Sequence, residues 1–149
     1  MTSESPLPCP CRVLLVDEND AFLDGLTDWF ETKLEIDVIG RAHTGDEALR
    51  RVSRFKPDLV LIDVGIPEGN GFDVVQSIKV EPTPPLVVVM SFHDSQHIRT
   101  TALSNGADGS ITKADIPQHL AAYIETIVDH QESNSTTARN QSGRSRNNS

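Results

Sequence analysis

Five short runs of branched aliphatic residues alternate with five amphipathic stretches along this chain, and that alternation restricts its fold more than any other feature. The apolar runs are Val13–Val16, Ile36–Ile39, Leu59–Ile62, Leu86–Met90 and, more weakly, Gly109–Thr112. Each has the length of a strand, and their continuous apolar character predicts burial on both faces. Between them, Phe22, Leu23, Leu26, Phe30 and Leu34 share one helical face. Thr44 and Glu47 make a capping box ahead of the stripe Ala48, Leu49, Val52 and Phe55. Phe72, Val75 and Ile78 form a third stripe. Ile98, Ala102 and Asn105 form a fourth, with Gly106 as its stop. Asp115 caps a fifth helix, with Pro117 in its first turn and Leu120, Ile124, Ile127 and Val128 facing inward. Trp29 and Tyr123 read as packing residues. Strict alternation predicts an α/β, doubly wound, five-stranded parallel sheet with helices on both faces. Function in such a fold lies beyond the carboxyl ends of the strands.

Composition divides the chain. Residues 131–149 carry no aliphatic side chain larger than Ala138 and cannot bury enough apolar surface to offset ordering, so they read as a disordered tail rich in Ser, Asn and Arg. Residues 1–10 form an N-terminal arm and residues 11–130 one domain. The net charge is −9 although the tail is basic, and so acidic a domain argues against direct nucleic-acid binding. Cys9 and Cys11 are too few to close a structural zinc site and read as reduced thiols of the arm. No apolar run approaches membrane-spanning length, and no basic-then-apolar leader opens the sequence, which points to the cytoplasm.

The residues that follow the apolar runs carry the chemistry. Asp17 and Glu18 follow the first, Asp63 the third, Ser91 the fourth and Lys113 the fifth. Taken singly, each has an ordinary structural role as a turn, a cap or a solvated surface group. Together, at successive strand ends of one topology, they predict a converging acidic site. Three carboxylates in one pocket repel unless a cation is present, and Mg²⁺ fits because it takes hard oxygen ligands and retains room for waters and a phosphate oxygen. Lys113 and Ser91 can hold further phosphoryl oxygens. The set suits phosphoryl transfer to a carboxylate. His43, His93, His97, His119 and His130 lack metal-ligand spacing; His93 reads as a loop residue near the mouth of the site.

At these residues the chain resembles the receiver domain of two-component response regulators. The matching segments are Val13-Leu-Leu-Val-Asp-Glu-Asn-Asp20, Pro57-Asp-Leu-Val-Leu-Ile-Asp-Val-Gly-Ile-Pro-Glu-Gly-Asn-Gly71, Val87-Val-Val-Met-Ser91 and Gly106-Ala-Asp-Gly-Ser-Ile-Thr-Lys113. Within that family it is most similar to receivers usually fused to a helix-turn-helix output domain. The resemblance implies a flavodoxin-like sheet of order 2-1-3-4-5 with five helices. It implies Asp63 as phospho-acceptor and Asp17, Glu18, Asp63 and the Gly65 carbonyl as Mg²⁺ ligands. It implies Ser91 as a phosphoryl contact that shifts on activation and Lys113 as an ion pair to the phosphoryl oxygens. Pro67 and Gly71 shape the loop after the acceptor strand, where glycine tolerates positive φ.

Three positions depart from the family pattern. Ser110 stands where an aromatic is usual, Phe92 where a small residue is usual, and Ala114 where a cis proline is common. Ser110 therefore removes the usual readout of the switch, while Phe92 narrows access to Asp63. A cis bond before alanine costs about 3 kcal/mol, so the turn at Ala114 differs. The implied partners are a histidine kinase or phosphotransfer protein and a downstream protein target, with no membrane, and with weak homodimerisation through the fourth helix, fifth strand and fifth helix. The expected function is a phospho-accepting switch rather than an enzyme, signalling through protein contacts because no output domain follows. The competing reading is a receiver-like binding module that does not use phosphorylation. A metal-dependent phosphatase is disfavoured because Gly65, two residues after Asp63, cannot act as acid or base.

Overall fold

In the computed structural model the described residues are 10–33, 35–66 and 70–127. Strands β1 (Cys11–Val16), β2 (Ile36–Ala42), β3 (Leu59–Asp63), β4 (Leu86–Ser91) and β5 (Gly109–Thr112) form one sheet of order β2-β1-β3-β4-β5. All four pairings are parallel, with Val16 beside Ile62, Asp63 beside Met90 and Ser91 beside Thr112. Helices α1 (Asp20–Phe30), α2 (Gly45–Phe55), α3 (Gly71–Lys79) and α4 (Gln96–Ser104) follow the first four strands. A fifth helix, α5, runs over 116–127 within the described residues. The predicted fold, strand order and helix count are all present.

The sheet separates two cores, because alternate strand residues face opposite sides. Val13, Leu15, Leu59, Leu61, Val88 and Met90 pack under α1 and α5. Leu14, Val16, Val60, Ile62, Val87 and Val89 pack under α2, α3 and α4. The central strands are thus apolar on both faces, which explains their unbroken runs. α1 buries Leu23, Leu26 and Phe30 as its stripe predicts, while Leu34 and Val128 lie outside the described residues. In α3 the buried face also includes Val74. The fourth stripe ends as expected, at Gly106 with φ +99°.

Several local expectations are corrected. β3 and β4 run one residue further than their apolar runs, so Asp63 and Ser91 end strands rather than follow them. Cys11 is the first residue of β1 and is buried, because it pairs with Ile36; it is not part of an arm. Asp115 does not open α5 as a simple cap. The chain enters through a 3-10 turn at Lys113–Asp115, and the Asp115 carboxylate accepts the Thr112 hydroxyl at 2.8 Å. The actual cap of α1 is Asn19, whose side chain accepts the Phe22 amide.

The capping box of α2 is present in altered form. Thr44 Oγ1 accepts the Glu47 amide at 3.1 Å, but Glu47 Oε1 accepts the amide of His43, one residue further back than Thr44. The His43 amide holds the Glu47 carboxyl below the usual range, against an upward push from burial, with Arg51 helping to lower it. A depressed carboxyl stabilises the fold above its unfolded value, and that contribution is lost as pH falls through the folded value. Thr44→Ala is expected to cost about 1 kcal/mol in chemical denaturation, because one amide of the first turn loses its partner.

Candidate functional site

The order of the sheet brings the carboxyl ends of β1, β3 and β5 toward one edge. Asp17 follows β1, its amide still bonded to the Ala42 carbonyl at 3.0 Å, and Asp63 ends the neighbouring β3. Lys113 follows β5 and reaches inward to both. Its Nζ lies 2.6 Å from Asp17 Oδ2 and 3.0 Å from Asp63 Oδ1. The lysine and Asp17 side chains are 5% and 2% exposed and that of Asp63 14%, so these charges meet in a protected site. Burial alone would push the Lys113 ammonium down. The hydrogen bonds that the ammonium donates to Asp17 and Asp63, with the charges of those carboxylates, outweigh it and hold the group above the ordinary lysine range. Two aromatic rings complete its surroundings, with Phe22 at 4.6 Å and Phe92 at 4.2 Å from Nζ to ring centroid.

The remaining carboxylate oxygens are anchored by backbone. Asp17 Oδ1 accepts the Asn19 amide at 2.9 Å, and Asp63 Oδ2 accepts the Gly65 amide at 2.9 Å. Both acids are therefore held in place, and each oxygen keeps a lone pair for a further partner. Two carboxylates sharing one ammonium leave an excess negative charge at the site. That excess, presented by hard oxygens, fits Mg²⁺. Glu18 is exposed on the loop after Asp17, and among the described residues no group of three His, Cys, Asp or Glu is already gathered around one point. Gly65 is exposed beside Asp63, and Pro67 lies outside the described residues.

Ser91 is buried, but its hydroxyl donates to the His93 carbonyl at 2.9 Å and so closes the turn that carries Phe92. Ser110 lies beside a cleft of about 210 Å³, lined also by Ser91, His93, Ile98 and Tyr123. Its amide donates to the Tyr123 hydroxyl at 2.9 Å, so Tyr123 does more than pack: it ties α5 to β5. Gly71 does not have positive φ. A Cβ there would come within 2.8 Å of the Asp63 carbonyl oxygen and 2.9 Å of Val64 Cα, so glycine is required for close approach of α3 to β3. The sequence gives no direct sign of Phe22 at the site, since its position on α1 fits a core stripe equally well. The Asn19 cap was legible in principle, as an Asn just before the first apolar stripe.

A family model described as the response regulator receiver domain matches residues 13–125. The chain belongs to this family. The receiver is 34% identical over 110 residues to the uncharacterized transcriptional regulatory protein YhcZ of Bacillus subtilis, covering 73% of this chain and 51% of that protein. Among solved structures, it is similar to a LuxR-family two-component response regulator from an Aurantimonas species. The TM-score is 0.73 at 25% identity, over 80% of this chain and 86% of that one. It is also similar to the response regulator domain of Thermotoga maritima CheB, with a TM-score of 0.70 at 27% identity, over 80% and 96% of the two chains. The receiver spans about half the length of the curated relatives it matches. No described helix is long and apolar enough to cross a membrane.

Proposed function

We propose that this receiver is a phospho-accepting signalling switch of the cytoplasm, taking a phosphoryl group onto Asp63 from a histidine kinase or phosphotransfer protein. The observation that carries this reading is Lys113, a buried ammonium shared between Asp17 and Asp63 at the carboxyl edge of the sheet. An Asp63 carboxylate oxygen bonds to phosphorus while the P–N bond to the donor histidine breaks, its electron pair returning to the imidazole nitrogen. Asp17, Glu18, Asp63 and the Gly65 carbonyl would hold Mg²⁺, which supplies charge neutralisation for the transferring group. Lys113, already 3.0 Å from Asp63 Oδ1, pairs with a phosphoryl oxygen. The Ser91 hydroxyl exchanges the His93 carbonyl for another such oxygen, and the change in the turn and in α4 passes to a protein target. A weak homodimer through α4, β5 and α5 belongs to the same proposal.

Two features support the reading that this domain binds partners without being phosphorylated: Phe92 over Lys113, and a serine at position 110. Beryllofluoride with Mg²⁺ separates the two. The switch reading expects saturable binding to the wild type and a loss of at least about a hundredfold in Asp63→Asn, measured by calorimetry or ¹⁹F NMR. Absence of binding to the wild type would favour the module.

A further inference from the structure

Four contacts close a circuit around the Lys113 ammonium, and only one of them is made by an aromatic ring. Asp17 Oδ1 accepts the Asn19 amide at 2.9 Å, and Asn19 Oδ1 accepts the Phe22 amide at 3.1 Å. The Phe22 ring lies against Lys113 Nζ, 4.6 Å from nitrogen to centroid, and Nζ returns to Asp17 Oδ2 at 2.6 Å. The first turn of α1 and the ammonium are thus held by the same acid. Phe22 differs from the second ring on Nζ. Phe92 is 70% exposed on a turn, whereas Phe22 stands on a helix, half-buried against the core under α1 and α5. A ring fixed by helix and core presents a stationary π-face, which attracts a cation without taking or giving a proton.

We infer that Phe22 is a positioning residue for Lys113, holding the ammonium in the site while Asp17 and Asp63 turn to other partners. The inference rests on Asp63 being the acceptor. A lysine side chain is long and rich in rotamers, and it stays pointed inward only while something restrains its end. In the free protein two carboxylates do so. Once both acids ligate a cation, their charge is shared with it, and an acceptor oxygen bonded to phosphorus no longer carries a full charge. The attraction of the ring is drawn on by neither event. Phe22 therefore keeps the ammonium near the point where a phosphoryl oxygen arrives, and α1 enters the chemistry of the site through a side chain that brings no charge to it.

The test uses the full chain and compares the wild type with Phe22→Leu, which keeps apolar bulk without the ring, and Phe22→Tyr, which keeps the ring. In metal-free protein, the ε-methylene protons of Lys113 are expected to move downfield in NMR spectra of Phe22→Leu, since the ring that shields them is gone, and to stay in place in Phe22→Tyr. Calorimetry then measures the binding of Mg²⁺ alone and of beryllofluoride with Mg²⁺. Phe22→Leu is expected to weaken beryllofluoride binding about three- to tenfold and to change Mg²⁺ affinity by less than about twofold, with Phe22→Tyr matching the wild type in both. The Mg²⁺ measurement separates positioning from structure, because a merely disturbed entry to α1 would displace Asp17 through Asn19 and weaken the two ligands together. Such a parallel loss overturns the inference. So do Lys113 protons that do not move, or a Phe22→Tyr protein that behaves like the leucine variant. A wild type that binds no beryllofluoride removes the acceptor reading and this inference together, whereas wild-type binding with an indifferent Phe22→Leu removes the inference alone.

Discussion

Lys113→Ala is expected to lower stability by about 3 kcal/mol at neutral pH, the largest effect of any single charge removal in the site. The reason is what it leaves behind. Asp17 is 2% exposed, and its Oδ2 loses a partner at 2.6 Å; Asp63 Oδ1 loses the same partner at 3.0 Å. Two carboxylates then face each other with no cation between them. A further outcome separates this from loss of packing: Mg²⁺ should stabilise the variant more than the wild type, since it supplies the missing positive charge. In the wild type the ammonium is held above the ordinary lysine value of 10.5, so its contribution is complete at neutral pH and is lost only as pH rises through the raised value. Urea denaturation at several pH values, with and without Mg²⁺, measures all three.

Gly71→Ala is expected to cost about 2 kcal/mol and to impair phosphorylation together with stability. The added methyl would meet backbone atoms of Asp63 and Val64 at 2.8–3.0 Å, not the movable end of a side chain. α3 must then retreat from β3, and residues 64–66 move with the contact. That segment contains the Gly65 amide, which fixes Asp63 Oδ2. A denaturation midpoint that falls while acetyl phosphate still modifies Asp63 at the wild-type rate would confine the effect to packing. Because the account joins the two through one backbone contact, it predicts that they fail together.

The layout of this molecule was legible because the signals reinforced each other. Branched runs such as Leu59–Ile62 are strands whose both faces are covered, and the stripes on α1 and α2 point to the two cores that cover them. Strand order followed from the family resemblance carried by Asp17, Asp63, Ser91 and Lys113, and the sheet places Asp17, Asp63 and Lys113 together. Local detail was less legible where polar side chains choose among several close partners. Glu47 reaches His43 rather than its cap residue, Asp115 takes the Thr112 hydroxyl, and Ser91 bonds the His93 carbonyl. Such choices depend on distances of tenths of an ångström that no periodicity encodes. Gly71 shows a different limit: its identity could be read, but close approach and positive φ leave the same letter in the sequence. Phe92 was conspicuous by size alone, and only the fold reveals that its ring lies on Lys113.

The central claim is that Asp63 accepts the phosphoryl group. The most direct measurement is mass spectrometry of the protein treated with acetyl phosphate and Mg²⁺, reduced with borohydride to trap the acyl phosphate and digested to locate the modified residue. The account predicts one Mg²⁺-dependent modification, on Asp63, absent from Asp63→Asn. A folded wild type that remains unmodified, or a modification that persists in Asp63→Asn, would contradict it.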